Sequence, residues 1–262
     1  MRWAAASRNQ RRHSGMVRKH QTRNLEILGC ARAHQSSMLR IHQLDVASDA
    51  PLEDHFKMKL TFSPASPFAR KVRIAAIELG LIDKIELMPV TVAPGQQNEE
   101  YSRITPLKKL PVLILDNGDV ILDSYVVVEY LDELAGGGKL IPASGDLRWK
   151  VKSDHSLLQG MLDAMLLCRY ENIVRPEGLR WKAWSDDHWN RAWTGMARFE
   201  HHVEAMQARP FDIAQIGLVC VLGYADFRFP DCGWRKAYPK LDAFHQKMLE
   251  RPSVKISVPP AA

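Results

Sequence analysis

Met58-Lys-Leu-Thr-Phe-Ser-Pro-Ala-Ser-Pro67 runs directly into Phe68-Ala-Arg-Lys-Val-Arg-Ile-Ala-Ala-Ile-Glu-Leu-Gly80, and this stretch decides the fold. The apolar run Leu60 to Phe62 reads as a short buried strand. A Ser/Pro turn follows, and Val72, Ala75, Ala76 and Leu79 then recur at helical spacing. Pro67 suits the first turn of that helix, where its missing N–H costs nothing. Gly80 suits the left-handed position just past the helix end. Ser66 therefore stands where a strand hands over to a helix N-terminus. Unpaired N–H groups and the positive end of the helix dipole meet there and favour an anion such as a thiolate.

A second stretch, Thr105-Pro-Leu-Lys-Lys-Leu-Pro111-Val-Leu-Ile-Leu-Asp-Asn-Gly-Asp-Val-Ile-Leu-Asp123-Ser124, extends the pattern. Val112 to Leu115 and Val120 to Leu122 read as two strands. Asp116-Asn-Gly118-Asp joins them, and Asn-Gly is the strongest short hairpin signal. Pro111 opens the first of these strands, a position where proline is tolerated. Asp123 or Ser124 caps an apolar helix from Tyr125 to Leu134.

Between the two stretches, residues 84–92 make another strand. With the first strand and helix it forms a βαβ unit, whose strands are expected to be parallel and right-handed in connection. A short helix falls near Asn98 to Arg103. After Leu134, Gly136-Gly-Gly138 breaks the helix, and Leu140-Ile-Pro142 begins a linker that marks a domain boundary.

From Asp146 to Arg251 the pattern is helical throughout. Leu147, Val151, Leu158, Met161, Leu162, Met165 and Leu166 form one stripe. Trp184 to Met206 carries a second, with Trp189, Trp193, Met196 and Val203. Asp212-Ile-Ala-Gln215 resembles a capping box and opens an apolar helix from Ile213 to Tyr224. A last helix runs from about Pro239 to Arg251 and is stopped by Pro252. This half reads as an α-helical bundle.

Composition narrows the function classes. Hydrophobic content of 46% and charged content of 25% are those of an ordinary globular chain, and no run reaches the roughly 18 apolar residues of a membrane span. Four cysteines (Cys30, Cys168, Cys220, Cys232) are scattered without C-x-x-C or metal-ligand spacing. Cys168 and Cys220 lie in apolar helical patterns and read as core thiols. The absence of a disulfide framework points to a reducing compartment, the cytoplasm.

The formal net charge of +6 sits mostly at one end. Residues 1–57 hold 10 Lys/Arg against 5 Asp/Glu, leaving 26 against 25 for residues 58–262. The folded part is near neutral, which argues against nucleic acid as its ligand. Residues 1–57 show no sustained period and are expected to be a disordered basic extension. Their first 25 residues are Arg-rich and acid-free. That composition fits a mitochondrial transit peptide, a nucleic-acid arm, or a translated upstream region preceding a natural start at Met58. We favour the last, because the family resemblance set out next begins at Met58.

Taken together, the order of strand, Ser-x-x-Ser-Pro-Phe turn, helix, strand, helix, Leu-Pro-Val strand, Asn-Gly hairpin and Asp-Ser helix start resembles the glutathione transferases. Phe211-Asp-Ile-Ala-Gln-Ile-Gly-Leu-Val-Cys-Val-Leu-Gly-Tyr-Ala-Asp-Phe-Arg-Phe229 is similar to the core helix of their all-α domain. The resemblance covers about residues 58–257. It implies an α/β thioredoxin-like domain over 58–137 followed by an all-α helical bundle domain over 146–257. It also implies a homodimer in which the N-terminal domain of one subunit meets the helical domain of the other, and a role in detoxification.

The resemblance also implies roles for particular residues. Glutathione is a tripeptide with two carboxylates, an ammonium and a thiol, and an unperturbed thiol, with a pKa near 8.5, is mostly protonated at neutral pH. A transferase must stabilise the thiolate, and Ser66 is the first candidate donor, with Ser63 as the alternative. Ser66-Pro67-Phe68-Ala69 stands where redox-active relatives carry C-P-x-C, so dithiol exchange by the protein is excluded unless another cysteine enters the site. Pro111 resembles the family's cis-proline, presenting the N–H and C=O of Val112 to the cysteinyl part of glutathione as an added strand. Asp123 and Ser124 would take the γ-glutamyl ammonium and carboxylate, and Lys109 the glycyl carboxylate.

Two further groups of residues are read by type and position. Arg70, Lys71 and Arg73 read as a solvated or interface face, although Arg70 could raise the potential at the thiol. Tyr125, Tyr170 and the tryptophans of the helical half are candidates for lining the acceptor pocket.

The function these features imply is conjugation of reduced glutathione to an electrophilic or hydrophobic small molecule, with no cofactor beyond glutathione as co-substrate and no metal. The alternatives are a non-catalytic glutathione-binding scaffold and a glutathione-dependent peroxidase or thiol transferase.

Overall fold

The computed structural model describes residues 58–95 and 98–260. The expected basic extension over residues 1–57, and Cys30 within it, lie outside the described residues.

Four strands form one sheet in the order β2-β1-β3-β4. Strand β1 (Met58–Phe62) is central, pairing parallel with β2 (Ile85–Pro89) and antiparallel with β3 (Val112–Ile114); β3 pairs antiparallel with β4 (Val120–Leu122). Leu60 and Thr61 are buried, while Lys59 stays exposed with its ammonium 3.9 Å from the Glu86 carboxylate. Pro89 is tolerated because β2 is an edge strand. The β3–β4 connection is tighter than a generic loop. Leu115 N–H donates to the Asp119 carbonyl (2.8 Å), Gly118 N–H to the Leu115 carbonyl (2.9 Å), and Gly118 takes φ 86°. This is a three-residue hairpin loop that needs glycine at its left-handed position.

Helix α1 (Pro67–Glu78) starts and stops as its sequence dictates. Ser66 is the N-cap, its Oγ accepting from Ala69 N–H at 3.2 Å, and Pro67 opens the first turn. At the other end Gly80 (φ 69°) and Leu81 close the helix, with Leu81 N–H on the Ala76 carbonyl (2.8 Å) and Gly80 N–H on the Ile77 carbonyl (3.1 Å). Helix α2 spans Glu99–Ile104, and α3 spans Ser124–Leu134. The α3 end is tied down by Asp132, a buried carboxylate that accepts N–H bonds from Gly138, Lys139 and Leu140. That residue fixes the linker leading to the helical half.

The helical half comprises α4 (Gly145–Ile173), α5 (Lys182–Glu200), α6 (Val203–Gln207), α7 (Ile213–Arg228), α8 (Trp234–Ala237), α9 (Pro239–Leu249) and α10 (Pro252–Lys255). Helix α7 is buried on every side from Ile213 to Ala225, as expected of a helix that is apolar all round. Gly217 lets Leu158 of α4 pack close to its backbone. The thioredoxin-like layer and the bundle share one core, with α1 packed against α3, α7 and α10.

Four sequence expectations need correction. The stripe from Trp184 to Met206 is two helices, broken at His201–His202. The break leaves Glu200 free to cap the α9 start, where its carboxylate accepts from Lys240 N–H (3.1 Å) and Leu241 N–H (2.9 Å). Pro252 does not end the helical chain: α9 stops at Leu249, and Pro252 is the first residue of α10. Asp212 caps α7 through Ala214 and Gln215 N–H, both 3.0 Å, but the Gln215 side chain reaches the Pro210 carbonyl instead, so the capping box is only half formed. Finally, Arg70 and Lys71 form no solvated face; they are 3% and 1% exposed.

Among the described residues no helix is long and apolar enough to cross a membrane. No cluster of His, Cys, Asp and Glu suited to a metal ion occurs among them either.

Candidate active site

A cleft of about 860 Å³ opens between the sheet domain and the helical bundle. The residues expected to contact glutathione all line it: Ser63 and Ser66, Lys109, Pro111 and Val112, and Asp123 with Ser124. They arrive from three chain segments that the sheet order brings side by side, namely the end of β1, the head of β3 and the end of β4.

Both candidate serines already serve the backbone. Ser66 Oγ caps α1, and Ser63 Oγ accepts from Ala65 N–H at 3.4 Å. Ser66 N–H closes the turn on the Ser63 carbonyl at 3.0 Å. Each hydroxyl uses an oxygen lone pair in this way, and neither O–H proton has an acceptor among the described residues. Capping and donation to a ligand are therefore compatible roles for one hydroxyl.

The Leu110–Pro111 bond is cis. The backbone groups it presents differ from those expected. Val112 is buried; its N–H donates to Thr61 Oγ1 at 2.9 Å, and its carbonyl lies 3.3 Å from the same oxygen. Leu110, two residues earlier, lines the cleft with an N–H and C=O that have no partner among the described residues. The sequence placed the open backbone edge two residues too late because nothing in it announced Thr61 as a buried partner. Thr61 also meets the Tyr101 hydroxyl (2.9 Å), which in turn donates to the Lys109 carbonyl (2.9 Å). This relay holds the 105–111 loop onto β1.

Asp123 holds a backbone conformation rare outside glycine (φ 70°, ψ 127°) while its Oδ1 caps α3 through Tyr125 N–H at 2.8 Å. Such strain persists where surrounding structure enforces it, often at ligand sites. Ser124 is buried beside it, with Oγ 3.5 Å from Gln159 Oε1. The same Gln159 oxygen accepts from Lys71 Nζ at 2.5 Å. Burial lowers the Lys71 ammonium to about 8, while Cys220, Asp123 and Asp163 favour its charge. Thus a buried cation sits behind the α3 N-terminus, placed by two hydrogen bonds that span both domains.

Of the opposite wall, sequence reading singled out only Tyr170 as a site candidate. Gln159, Asp163, Leu166, Arg169 and Tyr170 of α4, with Tyr224 and Arg228 of α7, complete the cleft. Residues 159, 163, 166 and 170 lie on one helical face, and 224 and 228 on another. The spacing was visible, but the residue types are too mixed to form a motif. Desolvation raises the Asp163 carboxyl, Asp123 adding to this and Lys109 opposing it. Burial pushes the Tyr224 phenol up to about 12 and also raises Tyr170, so both remain hydroxyl donors.

Three of the candidate aromatics lie elsewhere. Tyr125 stacks on buried His155 (centroids 4.4 Å apart, planes within 7°). Trp189 and Trp193 pack on Phe229 and Tyr238. Cys168 and Cys220 are buried in the core as expected, with burial raising Cys220 to about 11. No cysteine among the described residues lines the cleft.

Comparison with known proteins matches this architecture. The sequence profile of the glutathione S-transferase N-terminal domain matches residues 60–139. A glutathione transferase family member from Pseudomonas fluorescens Pf-5, solved with bound glutathione, is 37% identical with a TM-score of 0.76, covering 78% of this chain and all of that one. A glutathione S-transferase from Methylobacillus flagellatus, also solved with glutathione, is 33% identical with a TM-score of 0.70 over the same shares. The uncharacterized GST-like protein YibF of Escherichia coli is 26% identical over 211 residues, which is 78% of this chain and the whole of that protein. With identity above 30% along the full length of solved members, this chain belongs to the glutathione transferase family.

Proposed function

We propose that this protein is a glutathione transferase that joins the thiol of reduced glutathione to an electrophilic small molecule. The observation that carries the proposal is the convergence, in one cleft, of the α1 N-terminus at Ser66, the open Leu110 backbone edge and the α3 N-terminus at Asp123–Ser124. Glutathione bound in the solved relatives supports the same reading.

In this reading the γ-glutamyl carboxylate meets Ser124 and the free N–H groups of α3, with Lys71 behind them. Its ammonium faces Asp123 and Asp163. The cysteinyl backbone pairs with Leu110 as a short added strand, and Lys109 reaches the glycyl carboxylate. Ser66 O–H then donates to the sulfur near the positive end of α1. Stabilising the thiolate lowers the thiol pKa, and each unit is worth about 1.36 kcal/mol. In a substitution, the C–S bond forms as the carbon–halogen bond breaks and halide departs. In an addition, sulfur bonds to the β-carbon of an activated double bond, and the displaced electron pair takes a proton from solvent. Positioning and electrostatic stabilisation supply the acceleration.

The cleft contains no described cysteine, which disfavours thiol transfer by the protein itself. A cytoplasmic homodimer with a role in detoxification is part of the proposal. The dimer part is consistent with exposed apolar side chains on α3 and α4, Val126, Trp149 and Leu157 among them. Sedimentation should then give twice the chain mass of 29.8 kDa.

The decisive test of activity is the appearance of the thioether product, followed by mass spectrometry with a panel of alkyl halides and enones. Turnover above the uncatalysed rate that Ser66→Ala removes, with glutathione affinity retained, supports the enzyme. Binding without turnover on any electrophile would favour the scaffold alternative.

A further inference from the structure

Charge is unevenly spread along the cleft. Both carboxylates that line it, Asp123 and Asp163, lie together where the γ-glutamyl group would sit. Away from them, Arg169 near the end of α4 and Arg228 in the last turn of α7 face the same cavity beside Tyr170 and Tyr224. Neither arginine forms an ion pair with any described residue. Arg228 is held in place by the Phe227 ring, its guanidinium carbon 3.7 Å from the ring centroid.

A cation near a helix C-terminus is favoured by the dipole. That accounts for each arginine singly, but not for two meeting in one cavity without a counter-charge. Their proximity has an electrostatic signature: burial first, then Arg169, holds the Arg228 guanidinium below its ordinary range, with only the Tyr224 hydroxyl favouring its charge. Like charges facing one partly buried cavity repel each other, and an anion between them relieves that repulsion.

We infer that Arg169 and Arg228 form the acceptor subsite, and that the electrophile this enzyme takes carries a carboxylate, held between the two guanidiniums with Tyr170 and Tyr224 donating beside it. Arginine is suited to this task, because its planar fork matches a carboxylate. The inference rests on the glutathione transferase reading above. It replaces a purely apolar acceptor pocket with an amphipathic one, in which Leu166 and the tyrosine rings cover the carbon skeleton.

The test compares S-(4-carboxybenzyl)glutathione with S-benzylglutathione by titration calorimetry on the full chain. We expect the carboxylated ligand to bind at least tenfold more tightly. In the double variant Arg169→Gln/Arg228→Gln that preference should vanish, while affinity for glutathione itself stays within about threefold of the parent. Arg169→Lys/Arg228→Lys should restore part of it, because charge is kept and the bidentate geometry lost. Equal binding of the two ligands, or a preference that survives the double Gln variant, would overturn the inference. If glutathione does not bind, the transferase reading falls on its own. Titration with 4-nitrobenzoate against nitrobenzene, followed by quenching of tryptophan fluorescence, then tests the arginine pair directly, and equal quenching by both would overturn it.

Discussion

The two walls of the cleft were built in different ways. The sheet-domain wall is made of backbone: two helix N-termini, a strand head and the hydroxyls that cap them. The helical wall is made of side chains from α4 and α7, helices separated by about 40 residues of chain. A wall made of backbone ends suits a ligand that never changes, such as a peptide with fixed charges. A wall made of long side chains can be altered by substitution without disturbing the fold. In the function proposed above, the constant co-substrate lies along the first wall, with Asp163 of α4 reaching its ammonium, and the variable acceptor lies along the second.

The largest expected effect concerns the packing that joins the walls. His155 of α4 stacks on Tyr125 of α3, and His245 of α9 sits beside Arg235 and Asp226, with Arg70 nearby. Burial first, then neighbouring cations, lowers His155 to about 2 and His245 to about 3. Both stay neutral in the folded protein where the unfolded chain, at about 6.5, takes up protons. Their contribution is therefore complete above pH 6.5 and is lost as pH falls below it. By pH 5 the loss is about 2 kcal/mol each, about 4 kcal/mol together. Urea unfolding at pH 7 and pH 5 measures it. His155→Phe, which preserves the stack, should flatten the slope by up to one proton, or about 1.36 kcal/mol per pH unit; an unchanged slope would remove His155 from the account.

Next in size is the test of the sheet-domain wall. Ser66→Ala should lower kcat by about 10²-fold to 10³-fold, the usual loss of one preorganised donor, while the Kd for glutathione changes by less than about threefold. Ser63→Ala should leave kcat within about fivefold. The reverse ranking would move the donor role to Ser63 without altering the contrast between walls. A smaller effect is expected at Asp123, where replacement by Ala removes both the ammonium partner and the α3 cap. Glutathione affinity should weaken about tenfold, and stability should fall by about 1 kcal/mol. The smallest should come from Tyr170→Phe, which is expected to raise KM for the acceptor a few-fold and leave glutathione affinity unchanged. A Tyr170→Phe variant that weakens glutathione binding would blur the division of labour between the walls.

This division also explains what could be read from the sequence. The sheet wall depends on local signals, such as Ser before Pro at a helix start, Asn-Gly in a hairpin and Asp-Ser at a cap, and each stood in order along about 70 residues. Its one misplacement, Val112 for Leu110, came from the side-chain bonds of Thr61, which lies 51 residues from Val112. The buried cations misled for a related reason. Arg70 and Lys71 look like surface residues until α7 and α10 cover them, where Gly223 leaves room for the Arg70 guanidinium and the Val254 carbonyl accepts from it at 3.4 Å. Arg169 and Arg228 gain meaning only when α4 and α7 are packed, and no local pattern encodes that packing.

The central claim is that glutathione occupies the sheet-domain wall, and its most direct test is calorimetric titration of glutathione into the full chain, its Asp123→Ala variant and its Arg169→Gln/Arg228→Gln variant. The account predicts micromolar to millimolar binding that Asp123→Ala weakens about tenfold and the double arginine variant leaves within about threefold. No binding to the parent chain, or a loss on the arginine wall equal to that at Asp123, would contradict it.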